Sequence, residues 1–522
     1  MDAQVIPPPA PRSSPGVKLT FDSQQSTKAS LSIDFLIVGG GVAGLTSAIA
    51  LTRAGHRVLV LEKGDGTSNT GPGGIRIPPN MSKIFFHWGF TEQLRKIAST
   101  SLPVIMTKLQ TGEILGTQAW SAAMLKDTRG EFMLTTVRAN PLTSHAPRLP
   151  PLHIDQHDAL YNFLHEIAVA KGVRIRYNTA VADIDPDEGA VLLASGEILT
   201  ADVILGADGE RGACRRILFE RNERVVSTGA VLYDVRCETS LATRTASKQV
   251  LKDVALEKNP IFVSFGNRRA MTGYPVNRGK EMAFHYFVWH QEDPGTHGNY
   301  ADPPTTELRR VMKQPCGESI WDVAQSAQNV IRVAINQHEN LPTWVHDSGR
   351  MVVIGQAAHP IAPGTIQGTA MAVEDGAVLA KLFSHLSKRE QIGEFLNAFQ
   401  DLRQARCETC VRSEFNFIYA ITQDDGPEVD LRDKTFRDSR NAGMDYLDEN
   451  GATDESMSRE QWHDVVTIFG YDCEDEADNW WMEWGRLRER SQEAVMNGSV
   501  PYRGGFSWGT MSIQVNECIT SQ

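Results

Sequence analysis

Apolar residues along this chain gather in short unbroken runs that end in glycine or charge. "IDFLIV" (33–38) runs into three glycines, the pattern of a fully buried strand entering a tight turn. Residues 44–54 follow with helical character and Gly55 stops them; "RVLVLE" (57–62) then predicts a second strand. Strand, helix and strand at this spacing predict a βαβ unit with parallel strands.

Similar runs recur downstream. Residues 158–171 place Leu160, Phe163, Leu164 and Ile167 on one helical face, closed by Gly172. "VRIRY" and "AVADI" predict strands, "AVLLASGEIL" a hairpin turning at Ser195-Gly196, and "ADVILGADG" a strand ending in a glycine turn. Between 226 and 290 the character changes. "STGAVLYDVRC", "IFVSFG", "MTGYPV" and "MAFHYFVWH" read as strands without helices between them, which predicts an antiparallel sheet in a second domain. "RMVVIG" is again a single buried strand, followed by a helix from about Gly368 to Leu386. The remainder reads as mainly helical, acidic and Trp-rich.

The expected fold class is therefore α/β. A Rossmann-like nucleotide-binding domain in two pieces (31–225 and 345–400) is interleaved with an antiparallel-sheet domain (226–344). A flexible, Pro- and Ser-rich tail (1–30) precedes them, and an acidic, mainly helical C-terminal region (401–522) follows.

Composition narrows the function classes. With 41% hydrophobic and 22% charged residues among 522, the balance is that of a soluble globular protein. The net charge is −12, and residues 421–480 alone carry 18 acidic against 5 basic side chains. No basic face for nucleic acid or anionic lipid is expected. The most apolar long window, "FLIVGGGVAGLTSAIAL", is slightly short for a membrane span and has glycines at its centre, so no span is expected. The tail lacks the apolar core of a signal peptide. Seven scattered cysteines do not form a disulfide framework. "CETC" at 407–410 has no second ligand pair, so no metal is expected. Together these features point to a reducing, cytoplasmic setting.

Three motifs carry candidate chemistry. In Gly39-x-Gly41-x-x-Gly44, Gly39 permits the turn, Gly41 lets backbone approach a pyrophosphate, and Gly44 allows close packing of helix on strand. The helix N-terminus offers free N–H groups and partial positive charge to phosphates. Glu62 ends the second strand, where a carboxylate grips ribose hydroxyls; an acid there favours NAD or FAD over NADP. The second motif is "GADGERGACRR", with Asp208 and Gly209 after a buried strand. The third is "GQAAHPIAPGTIQGTA", with Gly355 and Gln356 after a strand, then Pro363, Gly364, Gly368 and Thr369 at a helix start. N–H groups there can stabilise negative charge accumulating on a bound group.

In this order and spacing the motifs resemble the group A FAD-dependent monooxygenases, the para-hydroxybenzoate hydroxylase-like family, over roughly residues 32–400. "GGIRIPPNMSKIFFHWG" and "IFGYDCEDEAD" are similar to segments of its fungal salicylate-hydroxylase-like branch. The resemblance implies an FAD-binding domain interleaved with a substrate sheet. It also implies NAD(P)H as electron donor and transfer of oxygen from O2, through a flavin C4a-hydroperoxide, to an indole or phenolic substrate. Hydroxylation or epoxidation in secondary metabolism is the expected activity. A flavin oxidase or dehydrogenase on the same fold, without oxygen transfer, is the alternative.

Carried over residue by residue, the resemblance assigns Gly39, Gly41, Gly44 and Glu62 to the adenosine diphosphate. Gly74 falls beside the flavin, and Asp208 and Gly209 serve FAD and NAD(P)H. Gly355, Gln356, Pro363, Gly364, Gly368 and Thr369 surround the ribityl chain and ring. His157 stands where the branch has an FAD-contacting Arg, and Gln156 beside it leaves that register open by one. Tyr233 is the candidate substrate contact. Two departures stand out: Gln356 replaces an Asp, and Asp234 replaces an Arg that can hold a phenolate, which favours a neutral or basic substrate. Arg76 could still supply a positive charge.

Overall fold

The run before the triple glycine is the strand Asp34–Val38, and it lies at the centre of a five-stranded parallel sheet. Across the sheet the order is Met351–Val353, Val203–Gly206, Asp34–Val38, Arg57–Leu61 and Arg174–Arg176. Ile37 pairs with Leu205 on one side and Val60 on the other. The three strands ending at Val38, Gly206 and Val353 are neighbours, so the three glycine loops that follow them share one carboxyl edge. That edge is where ligands bind in open α/β sheets.

This computed structural model describes residues 28–66, 74–100, 103–120, 128, 134–136, 157–219, 223–238, 260–276, 279–290, 302–313, 315–447 and 455–485. Most of the expected N-terminal tail lies outside them.

The helix Val42–Arg53 packs against two others, Gln367–Phe383 and His157–Ala170. Its crossing with Gln367–Phe383 is tight: a Cβ on Gly376 would stand 2.8 Å from the Ser47 backbone nitrogen. The expected hairpin forms from Ala190–Leu193 and Ile198–Thr200.

A second sheet has seven strands in the order Val330–His338, Val225–Glu238, Glu281–Trp289, Arg269–Val276, Ile261–Phe265, Pro103–Lys108 and Ile114–Ala119. Neighbours are antiparallel except that Ile261–Phe265 runs parallel to Pro103–Lys108. Two strands thus come from residues 103–119, which the sequence pattern placed with the nucleotide-binding part. A short apolar run announces a strand but not the sheet it joins.

The C-terminal region is mainly helical, as expected. Ile392–Ile421 is a 30-residue helix lying along Gln367–Phe383, and Pro427–Asn441, Glu455–Phe469 and Cys473–Trp480 follow it. Trp481 stacks on His385 with ring centroids 4.4 Å apart, which fastens the Trp-rich segment to the core. Among the described residues no helix is long and apolar enough to cross a membrane.

Candidate active site

The three glycines of the first loop do three different jobs. Gly39 has φ +107°, and a Cβ there would stand 2.4 Å from the Ala207 carbonyl oxygen, so the turn admits only glycine. A Cβ on Gly44 would stand 2.0 Å from the Gly39 carbonyl oxygen. A Cβ on Gly41 would meet nothing within 4 Å. Gly41 therefore faces open space, where a ligand can come against the backbone. No side chain caps the helix that starts at Val42.

Glu62 stands beside this turn. Its Oε2 accepts from the Gly40 N–H (2.8 Å) and its Oε1 from the Gly64 N–H (2.7 Å), so the carboxylate is held in place by backbone. Asp208 is the second fixed carboxylate. Its Oδ2 accepts from the Cys214 N–H at 3.1 Å, while Oδ1 is buried without a hydrogen-bond partner. A buried carboxylate oxygen left over in this way fits a ligand donor such as a ribose or ribityl hydroxyl.

At the third strand end Gly355 donates to Asp375 Oδ2 (2.9 Å), and the exposed Gln356 side chain accepts from the Ile361 N–H through Oε1 (3.0 Å). The helix Gln367–Phe383 begins just beyond. Its start holds a residue the sequence did not announce: Glu414 Oε1 accepts from the Ile366 and Gln367 N–H groups at 2.8 and 2.7 Å. Burial pushes the Glu414 carboxyl upward, with Arg76 and the two N–H groups opposing that shift.

These parts meet in one cavity of about 950 Å³. Gly39, Gly41, Glu62, Gly74, Asp208 and Gly209 line it; so do Gln356, Pro363, Gly364, Gly368 and Thr369. The second sheet forms the far wall with Leu232, Asp234, Tyr274, His285, Ile331 and Val333. Gly74 lies hard against that wall: a Cβ would stand 2.5 Å from Val276 Cγ1, and its carbonyl accepts from the Tyr274 hydroxyl at 2.6 Å. Arg76 donates to the Gly364 carbonyl and places its guanidinium 5.2 Å from the Tyr274 ring centroid.

Of the other expected site residues, Gly44 and Gly355 support the loops from behind. His157 opens the helix His157–Ala170, and its side chain lies outside the described residues, as does Gln156. Tyr233 requires a correction. It is 0% exposed, packs among Val231, Val235 and Tyr286, and meets His290 Nε2 through its hydroxyl at 3.0 Å, behind the sheet. Side chains alternate along a strand, so its neighbours Leu232 and Asp234 take the cavity face instead. Sequence reasoning also passed over Tyr274 and His285, although cross-strand pairing sets Asp234 directly opposite His285.

Behind the third loop lies a buried ionic cluster. His359 Nε2 is 2.7 Å from Asp375 Oδ2, and Arg403 Nε is 2.9 Å from Asp375 Oδ1. Burial works against a charge on His359, but neighbouring Cys407 and Asp375 outweigh it and lift its pKa to about 10. Burial likewise opposes the Asp375 charge, and His359 and Arg403 overcome it, lowering its pKa to about 2. His359, Asp375 and Cys407 bring potential ligand atoms within 4.8 Å of one another. The Arg403 guanidinium, 3.4 Å from Cys407 Sγ, already supplies the positive charge of that space.

A family model described as an FAD binding domain matches residues 32–414. The chain belongs to the group A FAD-dependent monooxygenases. FAD-dependent monooxygenase OpS4 of Beauveria bassiana is 26% identical over 459 residues, covering 86% of this chain and 97% of that one. Among solved structures, CtdE in complex with FAD and a substrate has a TM-score of 0.65 at 19% identity, covering 88% of this chain and 100% of the other. A salicylate hydroxylase substrate complex has a TM-score of 0.62 at 18% identity, covering 84% and 98%. These structural likenesses carry the fold of this flavin monooxygenase. Its cofactor is FAD, and the open Gly41, the fixed Glu62 and the leftover Asp208 oxygen fit that group.

Proposed function

We propose that this monooxygenase takes electrons from NAD(P)H and one oxygen atom from O2 to hydroxylate or epoxidise an aromatic small molecule, indole or phenolic, in secondary metabolism. The observation that carries this reading is the single cavity. Residues of the three glycine loops and of a wall of the second sheet line it together.

When bound, FAD supplies a ring that accepts a hydride and activates dioxygen. The chain's own residues hold and surround it. Gly41 and the uncapped start of Val42–Arg53 would receive the pyrophosphate, and Lys63, Arg211 and Arg216, which line the same cavity, would add positive charge. Glu62 and Asp208 accept hydroxyl donors. Gln356 would face the chain between phosphate and ring. Pro363, Gly364 and the N–H groups of Gly368 and Thr369 would hold the ring edge and stabilise negative charge there. Leu232, Ile331, Val333, Ile361 and Ala362 line the remaining space and exclude water from the reacting atoms. A salicylate hydroxylase on this fold supports an aromatic substrate. The six described cysteines are all free, which supports a reducing, cytoplasmic setting.

Anaerobic mixing of the FAD-loaded protein with NADH or NADPH tests the electron donor. Bleaching of the flavin absorbance by one of the two is expected. Flavin that both nucleotides leave oxidised, yet an aromatic compound alone bleaches, would mark an oxidase or dehydrogenase instead.

A further inference from the structure

We infer that Asp234 sets substrate choice, selecting aromatic molecules that present an N–H or a cationic hydrogen-bond donor over those that present a carboxylate or phenolate. This rests on the reading of the cavity as the monooxygenase site.

The strand Val225–Glu238 turns Leu232 and Asp234 into the cavity. Beside Asp234 a chain of hydrogen bonds runs from Gly74 through Tyr274 to His285. The Tyr274 hydroxyl has one proton, and it goes to the Gly74 carbonyl at 2.6 Å. Burial pushes the Tyr274 pKa far up, so that proton stays. Toward His285 Nε2, at 3.3 Å, the Tyr274 oxygen can then only accept. His285 Nε2 therefore carries a hydrogen, and the same nitrogen lies 3.6 Å from Asp234 Oδ1. His285 and Tyr274 are positioning residues: Tyr274 orients the His285 ring so that its N–H faces the Asp234 carboxylate.

Charge is divided along the cavity. Lys63, Arg211 and Arg216 line the nucleotide end. At the sheet end Asp234 sits among Leu232, Ile331 and Val333. Arg76 also lines the cavity, with its guanidinium engaged by the Gly364 carbonyl and the Tyr274 face, and its charge favours the ionised form of the buried Glu414. A carboxylate that lines the cavity gains from a ligand group that donates to it. An anionic ligand group in the same place meets like charge in a poorly solvated space, which is selection by repulsion.

Three indoles that differ only in the side group test this: tryptamine, indole-3-carboxamide and indole-3-carboxylate, titrated against the FAD-loaded protein while the flavin absorbance is followed. The wild type is expected to bind tryptamine and the carboxamide at least about tenfold more tightly than the carboxylate, the worth of one hydrogen bond to a charged group. Asp234→Asn keeps the shape and is expected to lose the tryptamine preference; Asp234→Arg is expected to invert the order. Flavin content and melting temperature are measured alongside each variant. The inference is overturned if the wild type prefers the carboxylate or binds none of the three, or if a variant that keeps its flavin retains the wild-type order. Loss of the monooxygenase reading looks different: the wild type would hold no FAD, or NAD(P)H would not reduce it.

Discussion

Gly44 and Gly39 touch backbone to backbone, with the Cβ position of Gly44 only 2.0 Å from the Gly39 carbonyl oxygen. Gly41, between them, has open space around its Cβ position. Packing and ligand approach are thus separable within one turn. Gly44→Ala is expected to cost about 1–3 kcal/mol of stability through overpacking, and to lower FAD affinity with it. Gly41→Ala is expected to leave the melting temperature of the FAD-free protein unchanged while weakening FAD binding about tenfold, as one charge-assisted contact is lost. Thermal melts of the stripped proteins and FAD titrations distinguish the two.

Gln356 gives a redox prediction. It lines the cavity and holds Ile361 through its Oε1; an Asp there is one methylene shorter and fits the space. Gln356→Asp adds negative charge near the flavin and disfavours the reduced, more negative ring. A lower midpoint potential is expected in a dye-equilibrated reductive titration. An unchanged or higher potential would refute the electrostatic account of this position.

The His359–Asp375 pair gives a pH window. His359 rises from 6.5 to about 10 in the fold, so its contribution to stability is complete below its unfolded pKa and is lost as pH rises through about 10. Asp375 falls from 3.8 to about 2, so its contribution is present above 3.8 and is lost as pH falls through about 2. His359→Gln is expected to flatten the fall in melting temperature between pH 7 and 10. Asp375→Asn, which leaves His359 buried without its anion while Arg403 keeps Glu374, is expected to cost about 3–5 kcal/mol in denaturant titrations at neutral pH.

Tyr233 lies behind the sheet with its hydroxyl on His290. Tyr233→Phe is expected to cost about 1 kcal/mol of stability, a single hydrogen bond, and to leave kcat/KM within twofold of wild type, about 0.4 kcal/mol. A large loss of kcat at unchanged stability would place the hydroxyl in the reaction after all.

The turns were legible in the sequence because each imposes a backbone demand that only a few residue types meet. Gly39, Gly44 and Asp208-Gly209 are of this kind, and so is Gly355. Glu62 was legible from its place at the end of the second strand. The facing of the substrate strand was not. "AVLYDV" carries apolar residues on both faces, so no polar alternation tells Tyr233 from Asp234, and a shift of one residue exchanges cavity for core. Glu414 was illegible for a different reason. It caps Ile366 and Gln367 from a helix that begins at Ile392, and no local signal in that helix marks the contact. The pairing of residues 103–119 with the second sheet is likewise long-range.

The central claim is oxygen transfer by a flavin held against the second sheet. Turnover under ¹⁸O2 with NAD(P)H and an accepted aromatic substrate, followed by mass spectrometry of the product, tests it most directly. The account expects one ¹⁸O atom in each product molecule and none from labelled water. An oxidised product without ¹⁸O from the gas, formed while hydrogen peroxide accumulates, would contradict it and make the protein an oxidase.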